Sequence, residues 1–257
     1  MTLKNKQAFQ FVLGGCLLIF SSGVHAADLP SPIVPEKTPA PYDADGRLEE
    51  VTRTLADFKR ETNSSLIRRF DEKGKPTMSM SRKDRQKKRY YLDLKKEAEF
   101  WGYVSALKND LVNNYIAIHK NAPDDDRTKV GEEANQIAYS VVKGIEKLRD
   151  FYNIHTFPLV HNFIIDIGLA SRGGCKHWAE DLLNVIGTVE HPHFTAFWAE
   201  AHPGKMSEHN VAVIAPRGAS FDAGILIDPW RTAGEPYWSL VVEDSHPWRM
   251  WEGYNPR

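Results

Sequence analysis

A lone thiol behind two glycines is the most reactive arrangement in this chain. Gly173-Gly174-Cys175-Lys-His-Trp-Ala-Glu-Asp-Leu182 reads as a sharp turn running into a helix, with Cys175 in the first turn and Trp178, Ala179, Leu182 and Ile186 on the apolar side. The glycines permit the turn and bring backbone close to whatever occupies the site. At a helix N-terminus the positive end of the macrodipole favours thiolate over thiol. The first-turn N–H groups can also hold a developing oxyanion. Nucleophilic attack by sulfur is the chemistry that suits these features, with Gly174, Trp178 and Trp230 as candidates to wall a substrate cleft.

A thiol nucleophile needs a base, and His209 is the best candidate. It opens the strand-like run His209-Asn-Val-Ala-Val-Ile214, and Gly224-Ile-Leu-Ile-Asp228 reads as the next strand. A hairpin with Ala215 opposite Asp222 places position 209 opposite position 228, because paired numbers keep a constant sum. Opposed side chains share a face, so Asp228 then reaches the imidazole and fixes its tautomer. A register shifted by one residue sends the two to opposite faces.

The cysteine count sharpens the case. The 257 residues hold two cysteines, Cys16 and Cys175. Residues 1–26 read as a secretory signal: Lys4 and Lys6, then the apolar run Phe11 to Phe20, then Val24-His25-Ala26 as a small-x-small cleavage site. Leu13-Gly14-Gly15-Cys16 offers a rival lipoprotein site, but the four residues after Cys16 are all strongly apolar, like the middle of a signal. Cleavage after Ala26 removes Cys16 and leaves Cys175 without a partner in a periplasmic or extracellular compartment, where disulfides form readily. A free cysteine there is either an inert packing group or a functional one. Its neighbours favour the second.

Other elements must position these groups. Five prolines in residues 27–46 mark an extended tether. From Leu48 the spacing turns helical, with Leu48, Val51, Leu55 and Phe58 followed by Leu66 and Phe70, until Lys73-Gly-Lys-Pro76 breaks it. A long helix is expected from about Ser81 to Lys120, its stripe formed by Leu94, Ala98, Trp101, Val104, Leu111, Tyr115 and Ile118. After the Ala122–Arg127 loop, Val130, Ala134, Ile137, Val141, Ile145, Leu148 and Tyr152 give another. Residues 47–155 therefore predict a helical hairpin or bundle. Residues 156–257 predict one helix, Cys175 to about Ile186, on an antiparallel sheet of strands 194–201, 210–215, 224–227 and 237–242. The fold class is α+β.

At Cys175, His209 and Asp228 the chain resembles the transglutaminase-like cysteine peptidases of the papain-like fold, over about residues 157–245. Ile227-Asp-Pro-Trp-Arg231 and Tyr237-Trp238 also have the flavour of that group. The departure is Lys176, where many members carry an aromatic residue. The resemblance implies Cys175 as nucleophile, His209 as general base and acid, and Asp228 as orienting group. It implies acyl transfer through an acyl-enzyme on a peptide, protein or cell-wall peptide, with no cofactor and with hydrolysis favoured over cross-linking. The alternatives are a binding or scaffold protein that uses the helical region, an acyl transferase, or a helical region that covers the cleft.

Composition narrows the partners further. With 33 Lys+Arg against 34 Asp+Glu, a nucleic-acid binder is not expected. The run Arg82 to Lys96 is locally basic and reads first as a solvated helix face, second as a contact for an anionic surface. His177, His191 and His193 are poor metal partners for Cys175, since a two-residue spacing on a helix separates Cys175 from His177. His202 and His246 read as surface or turn histidines.

Overall fold

Apolar stripes at helical spacing and short alternating strands build one helical layer against one sheet. The computed structural model describes residues 43–71, 80–153, 172–205 and 207–256. The signal, most of the tether, the Lys73–Pro76 break and the approach to Gly173 lie outside the described residues. Helix α1 spans Ala44–Glu61, α2 Ser64–Asp71, α3 Arg82–Ile118, α4 Asp124–Tyr152 and α5 Cys175–Ile186. Strands follow as β1 Phe194–Ala201, β2 His209–Pro216, β3 Ile225–Ile227, β4 Trp238–Leu240 and β5 Arg249–Met250. All pairings are antiparallel, in the order β4-β3-β2-β1-β5.

Helix α1 starts inside the stretch read as tether. The Asp43 carboxylate accepts from Gly46 N–H at 3.1 Å, and Ala44 N–H donates to Asn135 Oδ1 at 3.0 Å. A side-chain cap satisfies an otherwise orphaned donor and so fixes the start. Ser81 caps α3 in the same way, accepting from Asp84 N–H at 3.1 Å. In the α3 stripe Leu94, Trp101, Val104, Leu111 and Tyr115 are buried together with Leu107, Ala98 is half-buried, and Ile118 at the helix end is 44% exposed. The basic run at the start of α3 is divided: Lys88 is buried and donates to Arg69 O, Lys95 pairs with Asp71, and Arg82, Arg85 and Arg89 are exposed. No helix among the described residues is long and apolar enough to cross a membrane.

One apolar cluster runs from Val51 through Trp101, Leu111, Ile137 and Leu148 to Leu182, Ile186, Ile214 and Ile227. The helical region and the sheet therefore share their core. Helix α5 sits between α4 and strands β1 and β2, so its position is set from both sides. Leu182 is fully buried at this junction. Leu182→Ala is expected to cost about 2–5 kcal/mol through lost burial and the cavity left behind. Urea unfolding should show a lower midpoint at unchanged slope.

Alternation along the strands assigns the faces. Ala212, Ile214, Ile225 and Ile227 join the helix-side core, while Val211, Val213 and Leu226 form a smaller cluster on the other face. By the same period His209 and Asp228 belong to that second face, at the end of the sheet where α5 begins.

Candidate active site

Cys175 is the first residue of α5, directly after the cap residue Gly174. Gly173 has φ +116°, a backbone conformation comfortable for glycine alone. The imidazole of His177 closes this turn: its Nδ1 accepts from the N–H groups of Gly173 and Gly174, each at 3.2 Å. Accepting two hydrogen bonds requires a neutral ring with its proton on Nε2. Burial, followed by the nearby Arg172 charge, holds the His177 pKa below its ordinary value. The first-turn N–H groups of Cys175 and Lys176 have no acceptor one turn back within α5.

A buried polar lock anchors the helix from below. Arg172 Nη2 donates to Asp181 Oδ1 at 3.1 Å and to Glu180 Oε2 at 2.8 Å. Tyr152 at the end of α4 donates to the other oxygen of Asp181 and to the carbonyl of His177. Asp181 is fully buried, so these bonds replace water around a charge that is otherwise costly to bury.

The loop ahead of β2 is tied in a comparable way. Glu208 accepts from Gly204 N–H at 2.7 Å and from Asn210 Nδ2 at 3.2 Å, and Asn210 in turn accepts from Trp198 Nε1 at 2.8 Å. Cys175 Sγ lies 3.9 Å from the Glu208 carbonyl oxygen. The thiol is thus held beside the strand that His209 opens.

His209 is 5% exposed, and its Nε2 bonds Asp228 Oδ2 at 2.7 Å. The register differs from the expected hairpin. Ala212 faces Ile227 and Ile214 faces Ile225, which is two residues from the pairing that set Ala215 against Asp222. The reason is the connection: Phe221–Ala223 forms a short 3-10 turn in place of an extended ladder. A slip of two residues keeps the face, so Asp228 meets His209 diagonally.

The other ring nitrogen, Nδ1, is buried and has no hydrogen-bond partner among the described residues. The Cys175 sulfur is nonetheless near enough to act on the imidazole. Burial alone pulls the His209 pKa down, but hydrogen bonding to Asp228 and Cys175 and the charge interactions with them outweigh it and raise it to about 9. The arrangement suits proton exchange between sulfur and imidazole, with the carboxylate fixing the ring. Cys175, His209 and Asp228 are brought to one place.

The candidate cleft residues divide. Gly174 caps the helix beside the thiol, and the Trp230 ring lies 4.7 Å from that of His209. Trp178 is a correction: at 1% exposure it is packed edge-on against Tyr152, ring centres 5.0 Å apart, and has no surface to offer a substrate. Its place on the apolar side of α5, already visible in the spacing, is what buries it.

Four further residues, Arg231, Asp244, His246 and Trp248, complete the surroundings of His209 and Asp228. Arg231 Nε donates to Asp228 Oδ2 at 2.9 Å, and its Nη1 donates to Asp244 Oδ2 at 2.7 Å. Asp244 Oδ1 accepts from His246 N–H at 3.0 Å and Trp248 Nε1 at 3.1 Å, and lies 2.8 Å from His246 Nδ1. The rings of His246 and Trp248 lie 5.7 and 5.4 Å from that of His209. His246 therefore belongs to the site, where a turn or surface position had been expected. The alternation of Asp244, His246 and Trp248 was the available signal.

The other histidines have separate tasks. His193 pairs with the buried Glu133 at 2.7 Å, and His191 Nδ1 meets the Phe194 carbonyl at 3.1 Å. Among the described residues no group of three or more His, Cys, Asp or Glu is arranged to hold a metal ion. Family models, curated proteins and solved structures give no match to this chain.

Proposed function

We propose that the protein is a cysteine hydrolase of the transglutaminase-like, papain-like kind, cleaving amide bonds in peptides, proteins or cell-wall peptides through an acyl-enzyme. One observation carries the reading: an imidazole bonded to a buried carboxylate at Nε2 keeps its Nδ1 off every other group and interacts with a thiol at a helix N-terminus. Few arrangements unrelated to catalysis bring those three groups together.

The steps follow from the groups present. Cys175 gives its proton to His209, and the thiolate attacks the amide carbon. The carbonyl electrons move onto oxygen, facing the first-turn N–H groups of α5. When the oxyanion collapses, the C–N bond breaks, the imidazolium gives its proton to the departing amine, and a thioester remains. Water enters, loses a proton to His209 and attacks the thioester carbon. The carboxylic acid leaves, and the proton on His209 returns to sulfur. Asp228 holds the ring throughout and stabilises its charged form. No cofactor is called for. The N-terminal signal-like segment supports work outside the cytoplasm, in the periplasm or beyond.

Iodoacetamide supplies the direct test. Cys175 should be alkylated at pH 6, well below the ordinary thiol pKa of about 8.5. His209→Ala should abolish that low-pH reaction while leaving alkylation above pH 9. A wild-type thiol that reacts only in alkaline solution would overturn the proposal. A primary amine added during turnover separates hydrolysis from transfer by the amide product it would form.

A further inference from the structure

We propose that Arg231 is a positioning residue, whose single guanidinium fixes Asp228 for His209 and, through Asp244, clamps His246 and Trp248 against the same imidazole. The proposal deepens the cysteine-hydrolase reading and rests on it for its catalytic meaning, though its geometry stands alone. Arg231 reaches Asp228 twice, with the side-chain Nε at 2.9 Å and the backbone N–H at 3.3 Å to the other oxygen. Its far end holds Asp244, and the guanidinium lies over the Tyr237 ring, 4.8 Å from its centre. Asp228 and Asp244 have side chains 1% and 2% exposed. Neither carboxylate has water enough to be placed by anything but its partners.

The consequence for the site is twofold. Asp228 is shared between two cations, so Arg231 withdraws part of its charge from the imidazolium. A second cation nearby also opposes the charge on His209 directly. Both effects restrain the proton affinity of His209. Meanwhile residues 244–248, which form no strand ladder with β1–β4, are tied to Asp228 through the Arg231–Asp244 ion pair, and Trp248 also packs on the Val211, Val213 and Leu226 cluster. His246, with its side chain about one-third exposed and its Nδ1 occupied by Asp244, turns its remaining edge away from that carboxylate. Lysine cannot replace this arrangement, because a point charge cannot span two carboxylates as a planar fork does.

The groups facing His209 are Asp228 at the end of β3, Cys175 at the start of α5, and Trp230, His246 and Trp248 from the segments beyond β3 and β4. Arg231 and Asp244 stand one contact further out.

The test compares the full chain with Arg231→Gln, Arg231→Lys and Asp244→Asn, following the imidazole carbon and nitrogen resonances of His209 against pH. Arg231→Gln should raise the His209 midpoint by about half a pH unit or more, a threefold or larger gain in proton affinity. Arg231→Lys should keep the midpoint near that of the parent but lose the His246 and Trp248 contacts, seen as altered His246 shifts and Trp248 fluorescence. Asp244→Asn should release His246 and Trp248 with little change at Asp228. An unchanged His209 midpoint in folded Arg231→Gln would overturn the proposal. So would a lysine variant that retains all the aromatic contacts. If Arg231→Gln does not fold, the Arg231→Lys and Asp244→Asn arms still decide. None of these readouts needs substrate, so an unreactive Cys175 would defeat the hydrolase reading without touching this one.

Discussion

Cys175→Ala is expected to remove amide hydrolysis down to the uncatalysed rate while leaving the protein folded. A loss of about 10³-fold or more follows when a covalent nucleophile is deleted, because the remaining oxyanion donors and binding groups cannot form the acyl-enzyme. The fold should survive because Cys175 is only half-buried at the start of α5. Its contacts are a 3.9 Å approach to the Glu208 carbonyl and the interaction with His209, neither of which the helix depends on. Alanine is also a good helix former at this position. The thermal midpoint should move by no more than a few degrees. A second readout needs no substrate: losing the sulfur should lower the His209 midpoint from about 9, since the Cys175 contact is one of the influences that raise it. A variant that retained turnover on a peptide-amide library would dispose of the mechanism outright.

The same residues show how far a sequence can be read physically. Period 3.6 marked the buried stripe of α4 from Val130 to Tyr152, every named member of which is inside. The two glycines and the polar-apolar rhythm after them marked the start of α5 at Cys175. Strand β1 fell where alternating residues begin at Phe194 and end at Ala201. These are local patterns, and local patterns survive folding when tertiary packing agrees with them.

What was not legible depended on irregular connections. The hairpin register assumed an extended ladder up to Asp222, but the 3-10 turn at Phe221–Ala223 consumes chain without extending the strand. The error was two residues, and only the parity of the pleat preserved the meeting of His209 with Asp228. Arg231 lies in a turn without periodicity, and its bond to Asp244 bridges 13 positions. Strand β5 is two residues long and pairs with β1 about 50 positions earlier. Nothing in its own sequence distinguishes it from loop. Trp178 differs for another reason: its helical spacing places it on the buried side of α5, and a ring buried there cannot also wall a cleft.

Asp228→Asn should change both activity and the pH dependence of stability, and the second effect has a definite sign. The His209 pKa is about 9 in the folded protein, against about 6.5 for an ordinary histidine. A raised folded-state pKa stabilises the native protein fully below the unfolded value of about 6.5, and that contribution is lost as pH rises through 9. For this shift it amounts to about 3 kcal/mol at most. Asparagine keeps the shape of Asp228 but not its charge. Burial then dominates, and the His209 pKa should fall to its ordinary value or lower. Measured by urea unfolding, the variant should be much less stable than the parent at pH 6. The gap should shrink steadily between pH 6.5 and 9 and settle above pH 9 at the constant penalty of leaving Arg231 with one carboxylate fewer. Activity should fall by about 10²-fold or more, because the imidazolium loses the group that orients and stabilises it. A stability difference that stayed flat across that pH range would mean Asp228 only packs against His209, and the proton bookkeeping behind the proposed mechanism would have to be abandoned.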